Sequence, residues 1–177
     1  MTKGRIAFQG ELGANSHEAC VAAFPDMEPV PHASFEEAFD AVKHGDCQLG
    51  MIPVENSIAG RVADVHHLLP SSGLKIIGER FKPIHFQLMV NPGVKLEDVK
   101  AVASMPIALG QCRKSLRRMG LKTEPVGDTA LAAKLLSEHP DPTRGAVSPA
   151  LAAELYGLDI VARDIEDEHN NTTRFLV

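Results

Sequence analysis

A chain of 177 residues with 44% hydrophobic content can fill one sizeable core or two small lobes sharing a hinge, which excludes a disordered chain. Its net charge of -5 argues against nucleic acid as a partner, yet leaves room for a local pocket that holds a small anion. No run approaches the roughly 18 apolar residues of a membrane span, and MTKGRIAFQG enters a strand-like pattern without the regions of a signal peptide, so the expectation is a cytosolic protein.

RIAFQG reads as a buried strand, and SHEACVAAF, with Ser16 as candidate N-cap, has the apolar spacing of a helix. EPVPH is punctuated by prolines. In SFEEAFDAVKHG, Ser34 and Glu37 stand at capping-box spacing, and Phe35, Ala38, Phe39 and Val42 form an apolar stripe that ends at Gly45. QLGMIPVEN then reads as a buried strand and AGRVADVHHLL as a helix. LKIIGERFKPIHFQLMVNPG differs, because two β-rich runs meet around FKP with no room for a helix, and it reads as a segment crossing between lobes. Alternation resumes with KAVAS and a helix over PIALGQCRKSLRRMG, KTEPV and DTALAAKLLSE, and RGAVS and PALAAELYG, where Ser148 before Pro149 marks a helix start. LDIVARDI and TRFLV read as strands returning to the first lobe. Cys20, Cys47 and Cys112 share no CxxC spacing and lie in apolar stretches, which predicts buried, reduced thiols.

Polar clusters fall at strand ends or helix starts: GELGANSH, VENS, SMP, DTA and NNTTRF. In parallel α/β folds ligands gather there, where helix N-termini present unpaired N–H groups and a partial positive charge, so five such clusters suggest one anion-binding cleft. Each also has a plainer reading. GELGANSH can be a tight turn and cap, and it lacks the GxGxxG spacing of a dinucleotide site, which disfavours a nicotinamide cofactor. Asp128 or Thr129 can simply cap a helix, and Ser104 can do likewise. The basic run RKSLRRMGLK and the acidic stretch of Asp159, Asp164, Glu166, Asp167 and Glu168 can be solvated surface. His66 and His67 are adjacent, no HExxH or Cys/His ligand spacing appears, and neither a GxSxG elbow nor a P-loop is present. No metal or cofactor is expected.

Taken in order, VENSIAG at 54–60, DTALAA at 128–133 and NTTRF at 171–175 resemble motifs of the prephenate dehydratase family, whose members make phenylpyruvate on the route to phenylalanine. SMPIALGQC at 104–112 is similar to a fourth motif, with Met105 and Ile107 as departures, and GELGANSH is a looser match. The resemblance implies an α/β fold of two lobes around a cleft, like a type II periplasmic binding protein. Lobe 1 would hold residues 1–80 and 160–177, and lobe 2 residues 81–159. It also implies a C-terminal ACT domain in most members, and none lies within these residues.

By the same resemblance Thr173 is the hydroxyl that hydrogen-bonds or protonates the leaving group, and Phe175 anchors the motif in the core. Asn56, Ser57, Ser104 and Thr129, with the helix N-terminal amide of Ala130, would hold the substrate carboxylates, and Glu55 and Thr172 would also bind the substrate. Arg174 would either join them or form a structural ion pair, and an acid role for Glu55 or a bound water stays open. The implied partner is a small dianion, prephenate or its amino analogue arogenate, with a homodimer expected by analogy. The rival reading is a module that captures a small anion without turning it over.

Overall fold

Strand β1 (Arg5–Gln9) carries Ile6, Ala7 and Phe8, all buried, as befits a strand covered on both faces. It forms the centre of a parallel sheet whose order is β2-β1-β3. Between β1 and β2 (Glu28–His32) runs α1 (Asn15–Ala23), which starts one residue earlier than the predicted cap Ser16. β2 is the proline-punctuated stretch. Glu28 N donates to Gly4 O and His32 O accepts from Gly10 N at either end of β1, while Pro29 and Pro31, which have no N–H to offer, sit between them on an edge strand where none is needed.

Helix α2 (Phe35–Lys43) follows the predicted capping signal: Ser34 Oγ accepts from Glu37 N at 3.2 Å, and the Glu37 carboxylate accepts from Ala33 N at 3.0 Å. Its apolar stripe buries Ala38, Phe39 and Ala41 in a core shared with Ala7, Val54 and Val65. The chain then forms β3 (Leu49–Gly50), β4 (Ile52–Asn56) and β5 (Gly60–Arg61). Here the sequence reading fails in part. Residues 60–61 form a hairpin with Glu55 and Asn56, and the helix, α3 (Ala63–Leu68), is shorter than predicted. Gly60 makes the turn possible, since its φ of 82° is costly for any residue with a Cβ.

The described residues are 3–177 of what is a computed structural model, and they divide into two compact units. The first comprises the segment ending at Glu11, Asn15–Ile84 and Asn170–Val177, and the second Leu12–Ala14 and His85–His169. β6 (Glu79–Pro83) closes the first long segment. The crossing therefore lies at Ile84 and His85, after the predicted junction at 80/81.

The second unit is built on one five-stranded sheet, ordered β11-β7-β10-β8-β9. Its strands are β7 (Gln87–Val90), β8 (Ala101–Ser104), β9 (Lys122–Pro125), β10 (Arg144–Ser148) and β11 (Asp159–Ala162). The helices are α4 (Pro106–Gln111), α5 (Arg113–Arg118), α6 (Thr129–Glu138) and α7 (Ala150–Tyr156). Ala130, Ala133, Ala146, Ala152 and Met89 lie in its core, which also takes Ala14. Gly13 permits that approach: a Cβ there would lie 2.9 Å from Ala152 Cα, and its φ is +95°.

Four local readings are corrected in this unit. The segment read as one helix over 106–120 breaks at Cys112, and α5 is capped by Asp167, whose carboxylate accepts from Lys114 N at 2.7 Å and Ser115 N at 3.0 Å. The acidic stretch is thus not merely solvated. Ser148 ends β10, and Pro149, not Ser148, occupies the cap position of α7. LDIVARDI does not return to the first lobe, because β11 pairs antiparallel with β7. TRFLV does return, as β12 (Thr172–Leu176), into an antiparallel sheet ordered β5-β4-β12-β6. The three cysteines are unpaired and buried, and burial pushes the Cys20 thiol up to about 12.

Candidate active site

β12 lies between β4 and β6, so each of its side chains has a neighbour on either side. The register sets Thr173 opposite Asn56 on β4 and opposite Lys82 on β6. Directly paired residues of antiparallel strands share a face, with Cβ atoms about 5 Å apart. Along β12, Thr173 and Phe175 are buried, while Arg174 between them is exposed. Phe175 packs with Phe8, Cys20 and Met51.

Asn56 has every polar group engaged. Its Oδ1 accepts from Ile58 N at 3.0 Å and Ala59 N at 2.8 Å, the turn that starts the β4–β5 hairpin. Those two donors fix the amide's orientation, since a flipped amide would set N–H against N–H. Its Nδ2 consequently points to Asn171 Oδ1 at 2.7 Å and to Thr173 Oγ1 at 2.9 Å. Thr173 thereby accepts one hydrogen bond from a fixed donor, which leaves its own proton to be donated. Asn171, which the sequence reading quoted without assigning a role, is the buried acceptor that completes the arrangement. Ser57 ties the strands together: its Oγ accepts from Thr172 N at 2.9 Å and donates to Asn170 O at 3.1 Å.

The other face of β12 is different. Arg174 pairs with Glu55 across β4 and with Phe81 across β6, and its guanidinium meets Glu79 through Nε at 2.9 Å and through a second nitrogen at 2.7 Å. Of the two roles considered for Arg174, the structural ion pair is the one with geometry. Glu55 shares that face, opposite Arg61 on β5, so neither it nor Arg174 joins Thr173.

Lys82 does. Its ammonium donates to Glu18 Oε2 at 2.7 Å, to Asn15 Oδ1 at 3.2 Å and to Pro83 O at 3.1 Å. This brings the first turn of α1, part of the GELGANSH cluster, to the Thr173 face. His17 from the same turn stacks on Phe8, with ring centroids 5.5 Å apart and an interplanar angle of 7°. Burial holds the His17 pKa below its ordinary 6.5 although Glu18 opposes the shift, so at neutral pH the ring is uncharged. No local pattern in the sequence singles out Lys82, because its place depends on the register of β6 against β12, far along the chain.

Ser104, Thr129 and Ala130 lie in the second unit. Ser104 is fully buried and donates to Val147 O at 2.6 Å, tying β8 to β10. The Ala130 amide donates to Asp128 Oδ1 at 2.8 Å, and Leu131 N to the same oxygen at 3.1 Å, so Asp128 caps α6. The carboxylate-holding roles expected of Ser104 and Ala130 therefore meet groups already engaged, and Thr129 is buried as the first residue of α6.

The family model described as prephenate dehydratase matches residues 6–177. The chain belongs to the prephenate dehydratase family. It is 43% identical over 176 residues to arogenate dehydratase/prephenate dehydratase 1, chloroplastic, of Arabidopsis thaliana, covering 99% of this chain and 45% of that protein. It is 42% identical over 172 residues to a bifunctional N-acyl-homoserine lactone acylase/prephenate dehydratase of Komagataeibacter europaeus, covering 97% of this chain and 61% of that one. A solved prephenate dehydratase from Arthrobacter aurescens, in complex with L-Phe, superposes with a TM-score of 0.90 at 30% identity, over 97% of this chain and 59% of the other. The chain thus spans about half to three-fifths of the length of these relatives. The fold is α/β, of the periplasmic-binding-protein-like class that prephenate dehydratase structures share. Among the described residues no helix is long and apolar enough to cross a membrane.

Proposed function

We propose that the chain converts prephenate to phenylpyruvate, a dehydration coupled to decarboxylation in phenylalanine biosynthesis. The ring C–O bond breaks and the hydroxyl leaves as water once it has gained a proton. The electron pair of the ring-to-carboxylate bond moves into the ring as carbon dioxide departs, and the gain of aromaticity drives the step. No carbon-bound proton has to be removed, so a strong base is unnecessary. The requirement is a donor at the leaving oxygen, strongest as negative charge builds there.

The observation that carries this reading is the Asn56–Thr173 hydrogen bond of 2.9 Å, with Asn56 as donor. A neutral threonine is a poor acid, so its contribution is polarisation of the leaving hydroxyl through a hydrogen bond. Asn56 then acts as a positioning residue, since both of its amide N–H groups have partners. Arogenate fits the same chemistry, and the Arabidopsis thaliana relative is named for both activities. A homodimer stays part of the proposal on family resemblance.

The test is to incubate the purified chain with prephenate and follow phenylpyruvate, with arogenate and phenylalanine in parallel. Formation of either aromatic product supports a dehydratase. Binding of both compounds with no product supports the anion-capture module instead.

A further inference from the structure

We propose that Lys82 and Glu18 form a specificity-determining pair beside Thr173, in which Lys82 takes the substrate's side-chain carboxylate and Glu18 decides between a 2-oxo acid and an α-amino acid. This rests on the dehydratase reading of the same site and adds to it the group that chooses the substrate.

Register puts Lys82 on the Thr173 face, directly opposite Thr173. Arg174 meets Glu79 on the opposite face, where Arg61 pairs with Glu55 in register, while Arg80, opposite Phe175 on the Thr173 face, has its guanidinium over the Phe24 ring at 5.5 Å. The Lys82 side chain is 17% exposed and that of Glu18 is 23% exposed. The pair is thus partly desolvated, where charge counts for more than on an open surface, yet a solute can reach it.

The ammonium has three protons and three partners: the Glu18 carboxylate, the Asn15 amide oxygen and the Pro83 carbonyl. Two of these are neutral oxygens. A substrate carboxylate is a stronger acceptor than either, so it can displace one of them while the ion pair with Glu18 persists.

Prephenate and arogenate differ only beside their side-chain carboxylate, where one carries a ketone and the other an ammonium. A ketone offers two lone pairs and no proton. An ammonium offers three protons and a positive charge. Lys82 supplies donors that suit the carboxylate of both, and the Asn15 amide can accept or donate, whereas the ionised Glu18 carboxylate only accepts and so suits only the ammonium. Glu18 consequently favours arogenate and stands against the ketone of prephenate, and the wild-type chain accepts arogenate because of it.

The test measures kcat and KM for both substrates in the wild type, Lys82→Met, Lys82→Arg and Glu18→Gln, with thermal melts as the check on folding. Lys82→Met should raise KM for both substrates on the order of 10-fold while kcat changes less, and Lys82→Arg should recover much of that loss. Glu18→Gln, a neutral replacement of the same shape, should lower the arogenate-to-prephenate ratio of kcat/KM on the order of 10-fold, which a merely structural role would not move. An unchanged ratio in Glu18→Gln, or an unchanged KM in Lys82→Met, overturns the proposal even where the wild type is active. If the wild type turns over neither compound, the dehydratase reading fails separately. Calorimetric titration of the same two compounds into the same variants then decides whether the pair discriminates between them.

Discussion

The two faces of β12 hold the same kinds of group and put them to opposite uses. On one face Asn56 donates to both Asn171 and Thr173, with Lys82 opposite Thr173 in register; on the other an arginine and a glutamate, both partly open to water, close on each other. Being polar and close to the motif thus does not fix what a side chain contacts. The neighbouring strand decides it. Ser104 in the second unit makes the same point, because its hydroxyl also sits at a strand end and is taken up by Val147 O.

The sharpest way to break the comparison is Thr173→Val, which keeps the shape and removes the hydroxyl. Turnover of prephenate should fall on the order of 10²-fold with KM little changed; a kcat close to wild type would remove Thr173 from the chemistry. Asn56→Asp is next. It preserves the acceptor for Ile58 and Ala59 while replacing the donor to Thr173 with an acceptor, so the threonine proton should turn back towards position 56 and kcat drop on the order of 10-fold. A rise in KM alone would instead return Asn56 to the carboxylate-binding role first expected of it.

Ser104→Ala should leave the kinetics alone and lower stability by about 1 kcal/mol in denaturant melts, as the loss of one hydrogen bond does. A change in KM there would show that the second unit contributes this hydroxyl to the substrate. The smallest effect is expected from Arg174→Ala, which removes a half-exposed ion pair worth at most about 1 kcal/mol. A large loss of kcat/KM would mean that Arg174 serves the chemistry from its side of the sheet.

Elements with complete local signals were legible in the sequence. Ser34 and Glu37 announced α2, and Asp128 or Thr129 before an apolar run announced α6, with Asp128 proving to be the cap. Thr173, Asn56 and Phe175 were singled out by the resemblance of their motifs to the family, and not by local propensity. What escaped was fixed by pairing at long range. β11 looks like any apolar strand, and only its partner β7 assigns it to the second unit. Gly60 reads as a lead-in to a helix until the Asn56 side chain caps the turn before it. Asp167 reads as surface until its carboxylate meets the start of α5. Lys82, Asn15 and Glu18 come from two segments and meet through β6 and α1, a juxtaposition that no single stretch encodes.

The most direct measurement is a double-mutant cycle on kcat built from Thr173→Val and Asn56→Asp. If Asn56 works by aiming the Thr173 hydroxyl, Asn56→Asp should cost almost nothing further once that hydroxyl is gone, and the two losses should be strongly non-additive. Losses that simply multiply would mean that Asn56 and Thr173 act on the substrate independently, and the directed hydroxyl would have to be abandoned.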